Sequence, residues 1–207
     1  DQGASIGHSQ GGHAVLGAAQ YASRAQLNYK GTVAIAPASN LASILTIGEQ
    51  QASTLPINYQ IQMLAQLDTY TALIVAGMQG HNKSVTYNEV FKNDTVILAP
   101  IAEAECSSTV GVQLGTAMSI YAAGIGQGTL TGYGRLQSGF MSIPVIDTFL
   151  KKDSQPGLAP LNKKVFIYQG EADTTVPKAA TDLLIASMKA NGTSASNIQY
   201  TTSAAWD

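Results

Sequence analysis

The 207-residue sequence predicts an α/β fold in which a parallel sheet is interrupted by a long, mostly helical insertion. The first 37 residues have the order strand, turn, helix, strand, which implies parallel strands. A strand, a helix and a strand return from residue 162 onward, whereas the sequence between has little strand character. We therefore assign residues 1–37 and 162–207 to an incomplete core and residues 38–161 to a helical cap or lid.

The first βαβ unit begins with a strand that is shorter than expected. Ala4-Ser5-Ile6 has strand character, but a central strand of a parallel sheet is normally a longer apolar run. The segment from about Gly11 to Ser23 is apolar nearly all round, which predicts a buried helix. The β-rich run over residues 32–36 ends at Pro37 and completes the unit.

The insertion is expected to be helical. Further helices are expected over residues 96–105, 110–123 and 144–150, with a glycine-rich loop over 124–139. We expect this cap to lie over the carboxyl-terminal edge of the sheet, where it would shield a site from water. Its clearest helix carries an apolar stripe at spacings of four and three residues, formed by Met63, Leu67, Tyr70, Ile74 and Met78.

The last part of the chain alternates again between strands and helices. Residues 165–168 are an apolar run typical of a buried strand. The helix expected over residues 177–190 has a proline in its first turn and ends at Asn191-Gly192. Residues 198–202 are the last expected strand.

Composition excludes several classes of function. The formal net charge is −2, and no basic run occurs, so we expect no nucleic-acid partner. Cys106 is the only cysteine and no Cys/His cluster has metal-ligand spacing, so we expect neither a metal nor a cofactor. Cys106 is expected to be a small buried hydrophobe or to pair with a cysteine outside the chain. No run of apolar residues is long enough for a transmembrane segment, and the polar, weakly charged surface favours a secreted or periplasmic protein.

The segment Gly7-His8-Ser9-Gln10-Gly11 has the pattern G-x-S-x-G. In a nucleophile elbow, this pattern exposes a serine on a sharp strand-to-helix turn, and the glycines allow the strand and helix to pack closely. Ser9 is the candidate nucleophile, and the N–H of Gln10 at the helix N-terminus is the candidate oxyanion donor. The alternative is a glycine-rich turn with a buried serine.

A second motif, Gln-Gly-Glu-Ala-Asp-Thr-Thr-Val-Pro over residues 169–177, lies between a strand and a helix. Active-site groups of α/β proteins lie at the carboxyl ends of strands. Asp173 is therefore the candidate acid that orients a histidine, and Glu171 is the weaker candidate. The alternative for Asp173 is an Asx turn or a helix cap.

Together these motifs resemble the α/β-hydrolase superfamily of lipases and esterases, and most closely its secretory lipase branch, the lipase-A-like proteins with a large helical cap. The matching motifs cover about residues 4–37 and 163–207, and the cap matches by position and helical character. The resemblance implies that Ser9 is the nucleophile, Gln10 the oxyanion donor and Asp173 the acid. It also implies hydrolysis of hydrophobic carboxylic esters through an acyl-enzyme, and thus lipid degradation.

The resemblance is incomplete because no histidine follows Asp173, whereas the family order is serine, acid, histidine. His8 adjoins the serine with its side chain pointing away. His13 is expected to be a core histidine of the buried helix, and His81 a surface residue of the cap.

We therefore predict that the chain is a fragment of a longer protein and that the catalytic histidine lies within a few residues after Asp207. The missing part should also supply the earlier strands and the second oxyanion donor. Asp207 should approach the gap between Ser9 and Asp173.

Three functions stay open at this point. The first is an ester hydrolase whose partner is a small-molecule ester or lipid, with contact to a lipid interface through the cap. The second is a peptidase or acyltransferase on the same scaffold, since fold does not determine substrate. The third is a non-catalytic, hydrolase-like binding module, for which a missing histidine would be no loss.

Overall fold

The computed structural model describes residues 2–206, and the chain divides into two compact units. One unit comprises Asp1–Ile44 and Thr148–Asp207, and the other comprises Leu45–Asp147. The first unit contains the sheet, and the second contains most of the helices. The assignment of residues 38–161 to a cap over the sheet stays a prediction.

The first unit is built on four parallel strands, which confirms the predicted α/β architecture. They are β1 (Gly3–His8), β2 (Tyr29–Ile35), β3 (Lys164–Gly170) and β4 (Ile198–Ser203). Neighbours in the sheet follow the order β1-β2-β3-β4, and each pair is parallel. All four predicted strands are therefore present.

The α-helices of residues 2–206 connect these strands or lie in the second unit. The helix predicted over 177–190 is present, and the helix predicted over 96–105 is a short α-helix followed by a 3₁₀ segment over Ala99–Glu103. The helices are α1 (Gln10–Tyr21), α2 (Leu41–Ala52), α3 (Ile57–His81), α4 (Tyr87–Val90), α5 (Asp94–Leu98), α6 (Ser107–Ala123), α7 (Pro144–Thr148) and α8 (Lys178–Ala190).

One face of the sheet holds the core of the first unit. Successive strand residues point to opposite faces, and in β3 the buried Val165 and Ile167 alternate with the half-buried Phe166 and Tyr168. On the opposite face, Ile6 of β1 is 69% exposed. The core cluster consists of Leu16 from α1, Ala34, Leu161, Val165, Ile167 and, from α8, Leu184, Ile185 and Met188.

The second unit contains a buried group of charges. Arg135 lies in the predicted glycine-rich loop, yet its side chain is buried. Its Nε and Nη2 donate to the two carboxylate oxygens of Asp68 on α3, at 2.8 and 2.6 Å, and its Nη1 donates to Glu49 on α2 at 2.7 Å. Burial raises the pKa of the Asp68 carboxyl, and the bonds from Arg135 oppose that rise. The guanidinium thus joins the loop to two helices.

The buried face of α3 differs from the predicted apolar stripe, and it includes Asp68 of this charge group. Leu67 and Met78 are buried as expected, whereas Met63, Tyr70 and Ile74 are only partly buried. The buried positions of α3 are Ile61, Leu64, Ala65, Leu67, Asp68, Thr69, Thr71, Ala72, Val75 and Met78.

Cys106 is exposed immediately before α6, so the expectation of a buried hydrophobe is wrong. It precedes the helix in an extended conformation, where its side chain is not covered. Within residues 2–206, no cluster of three or more His, Cys, Asp or Glu side chains could hold a metal ion. No helix in that range is both long and apolar enough to cross a membrane.

We predict that Arg135→Met destabilises the protein by about 3–5 kcal/mol, because it leaves the buried Asp68 carboxylate without its partner. Chemical denaturation measures this free energy of unfolding. The matched control is Lys178→Met, which removes an ion pair with Asp182 in which both side chains are much more exposed. This control should change stability by less than about 1 kcal/mol. Equal effects of the two substitutions on the free energy of unfolding would contradict the role of Arg135 as the partner of the buried Asp68 carboxylate.

Candidate active site

Ser9 lies at a sharp turn between β1 and α1. Its φ of 56° and ψ of −118° lie outside the regions that residues with a side chain normally occupy. The Ser9 N–H donates to the Ile35 carbonyl (2.8 Å), and the Ser9 carbonyl accepts from the N–H groups of His13 (3.0 Å) and Ala38 (3.2 Å). Bonds from β2, α1 and the segment after β2 therefore hold the turn in this conformation, which costs about 1–3 kcal/mol.

Two glycines allow this turn: Gly7, which the pattern indicates, and Gly12, which directly follows the second glycine of the pattern. A Cβ on Gly7 would lie 2.1 Å from the Gly11 carbonyl oxygen, so the strand can meet the helix only if residue 7 has no side chain. A Cβ on Gly12 would lie 2.9 Å from the Pro37 Cα. Apart from its chain neighbours and the backbone of its own helix, a Cβ on Gly11 would meet no described atom within 4 Å. The close packing expected of Gly11 is therefore a property of Gly12.

Gln10 is the first residue of α1. Its N–H has no carbonyl four residues earlier in the helix to bond to, and the positive end of the helix dipole lies at this point. The first turn of α1 contains no acidic side chain that would compete for these donors. A negative oxygen beside Ser9 would therefore meet an N–H donor in a favourable field. The role of Gln10 as oxyanion donor stays a prediction.

Asp173 follows β3 at the same edge of the sheet as Ser9, because parallel strands end at a common edge. β2 lies between β1 and β3, so the two strand ends are about 9–10 Å apart. Asp173 is half-buried, and its Oδ1 accepts from the N–H groups of Thr175 and Val176, each at 2.8 Å. Among the described residues, none donates to Oδ2. One oxygen thus fixes the carboxylate and the other is available.

The alternative interpretation of Asp173 as an Asx turn matches the two bonds to Oδ1, and it describes the local geometry correctly. Glu171, the weaker candidate acid, is exposed and turned toward β4. Its Oε1 accepts from the Thr202 hydroxyl at 2.7 Å, and its N–H donates to the Ser203 carbonyl at 3.0 Å. Each carboxylate keeps one oxygen without a donor among the described residues, and Asp173 differs from Glu171 in being half-buried and held by two N–H groups of its own turn.

None of the three histidines has the surroundings that a base for Ser9 would need. His8 is exposed, and its register partner in β2 is Ile35. The His13 Nε2 donates to the Ser154 carbonyl at 2.6 Å, so that nitrogen carries the proton; its ring is half-buried and not fully inside the core as expected. His81 is exposed at the end of α3 in the other unit.

A groove of about 430 Å³ lies along the carboxyl-terminal edge of the sheet. The edge of the Trp206 ring faces the Tyr168 ring, with the ring centroids 6.1 Å apart. The groove has no local signal in the sequence, because it depends on the contact of Trp206, which follows β4, with Tyr168 of β3. The prediction that Asp207 approaches the site lies outside the described residues. The groove is lined by His8, Ile35, Ala36, Tyr168, Gln169, Gly170, Ala205 and Trp206.

The chain has an α/β-hydrolase fold of the lipase-like kind, because solved structures with that fold are similar to it. The strained Ser9 turn and the turn over residues 171–176 that carries Asp173 (the acid turn) lie at one edge of its sheet. A rice cell wall degrading esterase, LipA from Xanthomonas oryzae, matches with a TM-score of 0.66 and 14% identity. The match covers 97% of this chain and 50% of that protein. Lipase A from Candida antarctica, in its closed state, matches with a TM-score of 0.57 and 12% identity, over 99% of this chain and 44% of the lipase.

The chain thus spans about half the length of these structures. No family model and no curated protein matches the sequence itself. At such low identity, the similarity establishes the fold and leaves the chemistry to the residues of the site.

We predict that Gly7→Ala destabilises the protein by about 3 kcal/mol or more, because the new methyl group would collide with the backbone of α1. Gly11→Ala is the matched control in the same motif, and it should be neutral or stabilise the helix by about 0.5 kcal/mol. Thermal unfolding measures both. If Gly7→Ala were as stable as Gly11→Ala, the close approach of strand and helix would be contradicted.

Proposed function

We propose that the chain carries the nucleophile and the acid of a serine carboxylic-ester hydrolase that works through an acyl-enzyme. The observation that carries this proposal is the strained backbone of Ser9, at φ 56° and ψ −118°, between a strand and a helix N-terminus. Strain of this kind is concentrated at functional sites. The esterase and the lipase with the same fold support the same class of substrate.

The proposed reaction begins with attack of the Ser9 Oγ on the ester carbonyl carbon while a base removes the hydroxyl proton. The carbonyl oxygen becomes an oxyanion that accepts from the Gln10 N–H. Collapse of this intermediate breaks the bond to the alcohol, which leaves with the proton from the base. Water then attacks the acyl-Ser9 ester by the same route and releases the carboxylic acid. Asp173 orients the base and stabilises its protonated form.

The base of this proposal is the histidine expected shortly after Asp207. The groove supports that location, because Ala205 and Trp206 share it with His8, the neighbour of Ser9. The segment after β4 thus lies at the edge where the site is expected. Peptidase or acyltransferase activity on the same scaffold would appear as turnover of peptide anilides, or of esters with acceptor alcohols, in place of ester hydrolysis.

We predict that Ser9→Ala abolishes labelling by a fluorophosphonate probe and lowers turnover of p-nitrophenyl esters to background, since only an activated serine reacts with the probe. The protein should be produced as its complete gene encodes it, and labelling read from intact mass. Ser23→Ala is the control, since it removes an exposed serine that lies outside the turn. Absence of labelling in the folded wild-type protein would refute the proposed function.

We also propose that the helical unit contacts a lipid interface, consistent with a secreted or periplasmic protein that acts on lipid esters. Ile97, Ile120 and Ile125 are 73%, 68% and 82% exposed and line a groove of about 550 Å³ beside α5 and α6. Residues 107–134 contain no charged side chain. Asp94 also lines this groove, so the uncharged part of the surface is α6 and the residues that follow it. Isoleucines that protrude from an uncharged surface suit the boundary between water and a lipid phase, because their burial removes apolar area without desolvating charges.

We predict that Ile125→Ser weakens partition onto neutral phosphatidylcholine vesicles by about tenfold, since a deeply inserted isoleucine contributes about 1.5 kcal/mol or more. Leu183→Ser is the matched control, because Leu183 is a 52% exposed aliphatic residue of the other unit. Sedimentation with vesicles measures the bound fraction. Equal partition of the two variants would contradict lipid contact through the surface around α5 and α6.

A further inference from the structure

Gln169 is a buried polar residue at the point where β3 leads into the acid turn. Its side chain is 1% exposed, and it lies on the same face of β3 as Val165 and Ile167, which belong to the apolar core. A buried amide costs free energy unless its donors and acceptor are paired. The partners of Gln169 therefore show what the residue contributes.

The Gln169 amide joins three parts of the chain. Its Nε2 donates to the Val176 carbonyl at 2.9 Å and to the Gly170 carbonyl at 3.1 Å. Its Oε1 accepts from the hydroxyl of Thr181 on α8 at 2.6 Å, and Thr181 is fully buried. Because a hydroxyl donor occupies Oε1, the NH₂ group has to face the two carbonyls. The end of β3, the end of the acid turn and the first turns of α8 are thus fixed to one side chain.

Val176 connects this amide to the candidate acid. Its carbonyl accepts from Gln169, and its N–H donates to the Asp173 Oδ1 at 2.8 Å. The Val176 side chain is buried in a cluster with Ala36, which directly follows β2. A change in the position of the Val176 backbone would therefore move the carboxylate.

We propose that Gln169 is a positioning residue that, through Val176, sets the orientation of the Asp173 carboxylate toward the base. The proposal rests on the proposed function of Ser9 and Asp173. Only an amide of this length supplies two N–H donors to the carbonyls and an acceptor to Thr181. An aliphatic side chain would leave both carbonyls unpaired, and a carboxylate would face them with like partial charge.

The test is Gln169→Leu in the complete protein, with kcat expressed per serine that a fluorophosphonate probe titrates. We expect kcat per titrated site to fall by about 100-fold with little change in KM, since a small displacement of a catalytic group has an effect of that size. The acid limb of the kcat/KM profile should shift to lower pH, because a displaced Asp173 stabilises the protonated base less. The Thr175 and Val176 amides should exchange hydrogen faster.

Thr193→Val is the matched control for a purely structural loss. It removes a buried hydroxyl that accepts from the Leu161 N–H at 3.0 Å, before the amino end of β3. It should lower the melting temperature but leave kcat per titrated site and the acid limb unchanged. If Gln169→Leu behaved in the same way, Gln169 would be structural only and the proposal would be overturned.

A double-mutant cycle separates this proposal from failure of the proposed function. In an Asp173→Asn background, Gln169→Leu should cause no further loss of kcat, because its effect acts through Asp173. If Gln169→Leu does not fold, Thr181→Val tests the same hydrogen-bond network, because it removes the hydroxyl that donates to Gln169 with a nearly isosteric change. It should give a smaller loss of kcat per titrated site. Absence of probe labelling in the wild type would refute the proposed function and this inference together, whereas labelling with additive losses would refute this inference alone.

Discussion

Parallel strand pairing is the constraint on which the rest of the structure depends. Ser9 and Asp173 are far apart in the sequence, and they reach the same edge of the sheet only because β1, β2 and β3 run in one direction. Parallel pairs also require long crossover connections, which α1 supplies between β1 and β2 and α8 supplies between β3 and β4. The helical unit is inserted in the remaining crossover, between β2 and β3, where parallel pairing requires a long connection in any case.

The serine turn shows how a strained conformation is maintained. Its cost is of the order of 1–3 kcal/mol, and three backbone hydrogen bonds of Ser9 are each worth about 1 kcal/mol. Gain and cost are similar, so the turn depends on close packing as well. Gly7 and Gly12 provide it, since each lies where a Cβ would meet backbone atoms. The strained conformation of the half-buried Ser9 is therefore stable only within the complete β1–α1–β2 arrangement.

The strands and the two motifs could be predicted because their signals are local. Apolar runs, glycines and Pro37 act within a few residues, and all four predicted strands are present. What could not be predicted depends on partners distant in sequence. The buried face of α3 includes Asp68 because Arg135 neutralises it across 67 positions, and hydropathy gives an aspartate no reason to be buried. The start of helix α2 has no clear signal in the sequence, because its first turn contains no acidic residue and the preceding Asn40 has a positive φ, which the sequence does not show.

The acid turn raises the question of whether Asp173 needs to be an aspartate at all. An asparagine could accept the N–H groups of Thr175 and Val176 with its single carbonyl oxygen, so the Asx turn alone does not require a carboxylate. What the carboxylate adds is a second oxygen and a negative charge at the carboxyl edge of the sheet. Within residues 2–206 nothing donates to that oxygen. The turn geometry and an acid function are therefore compatible, and the charge is the property of Asp173 that the turn leaves unexplained.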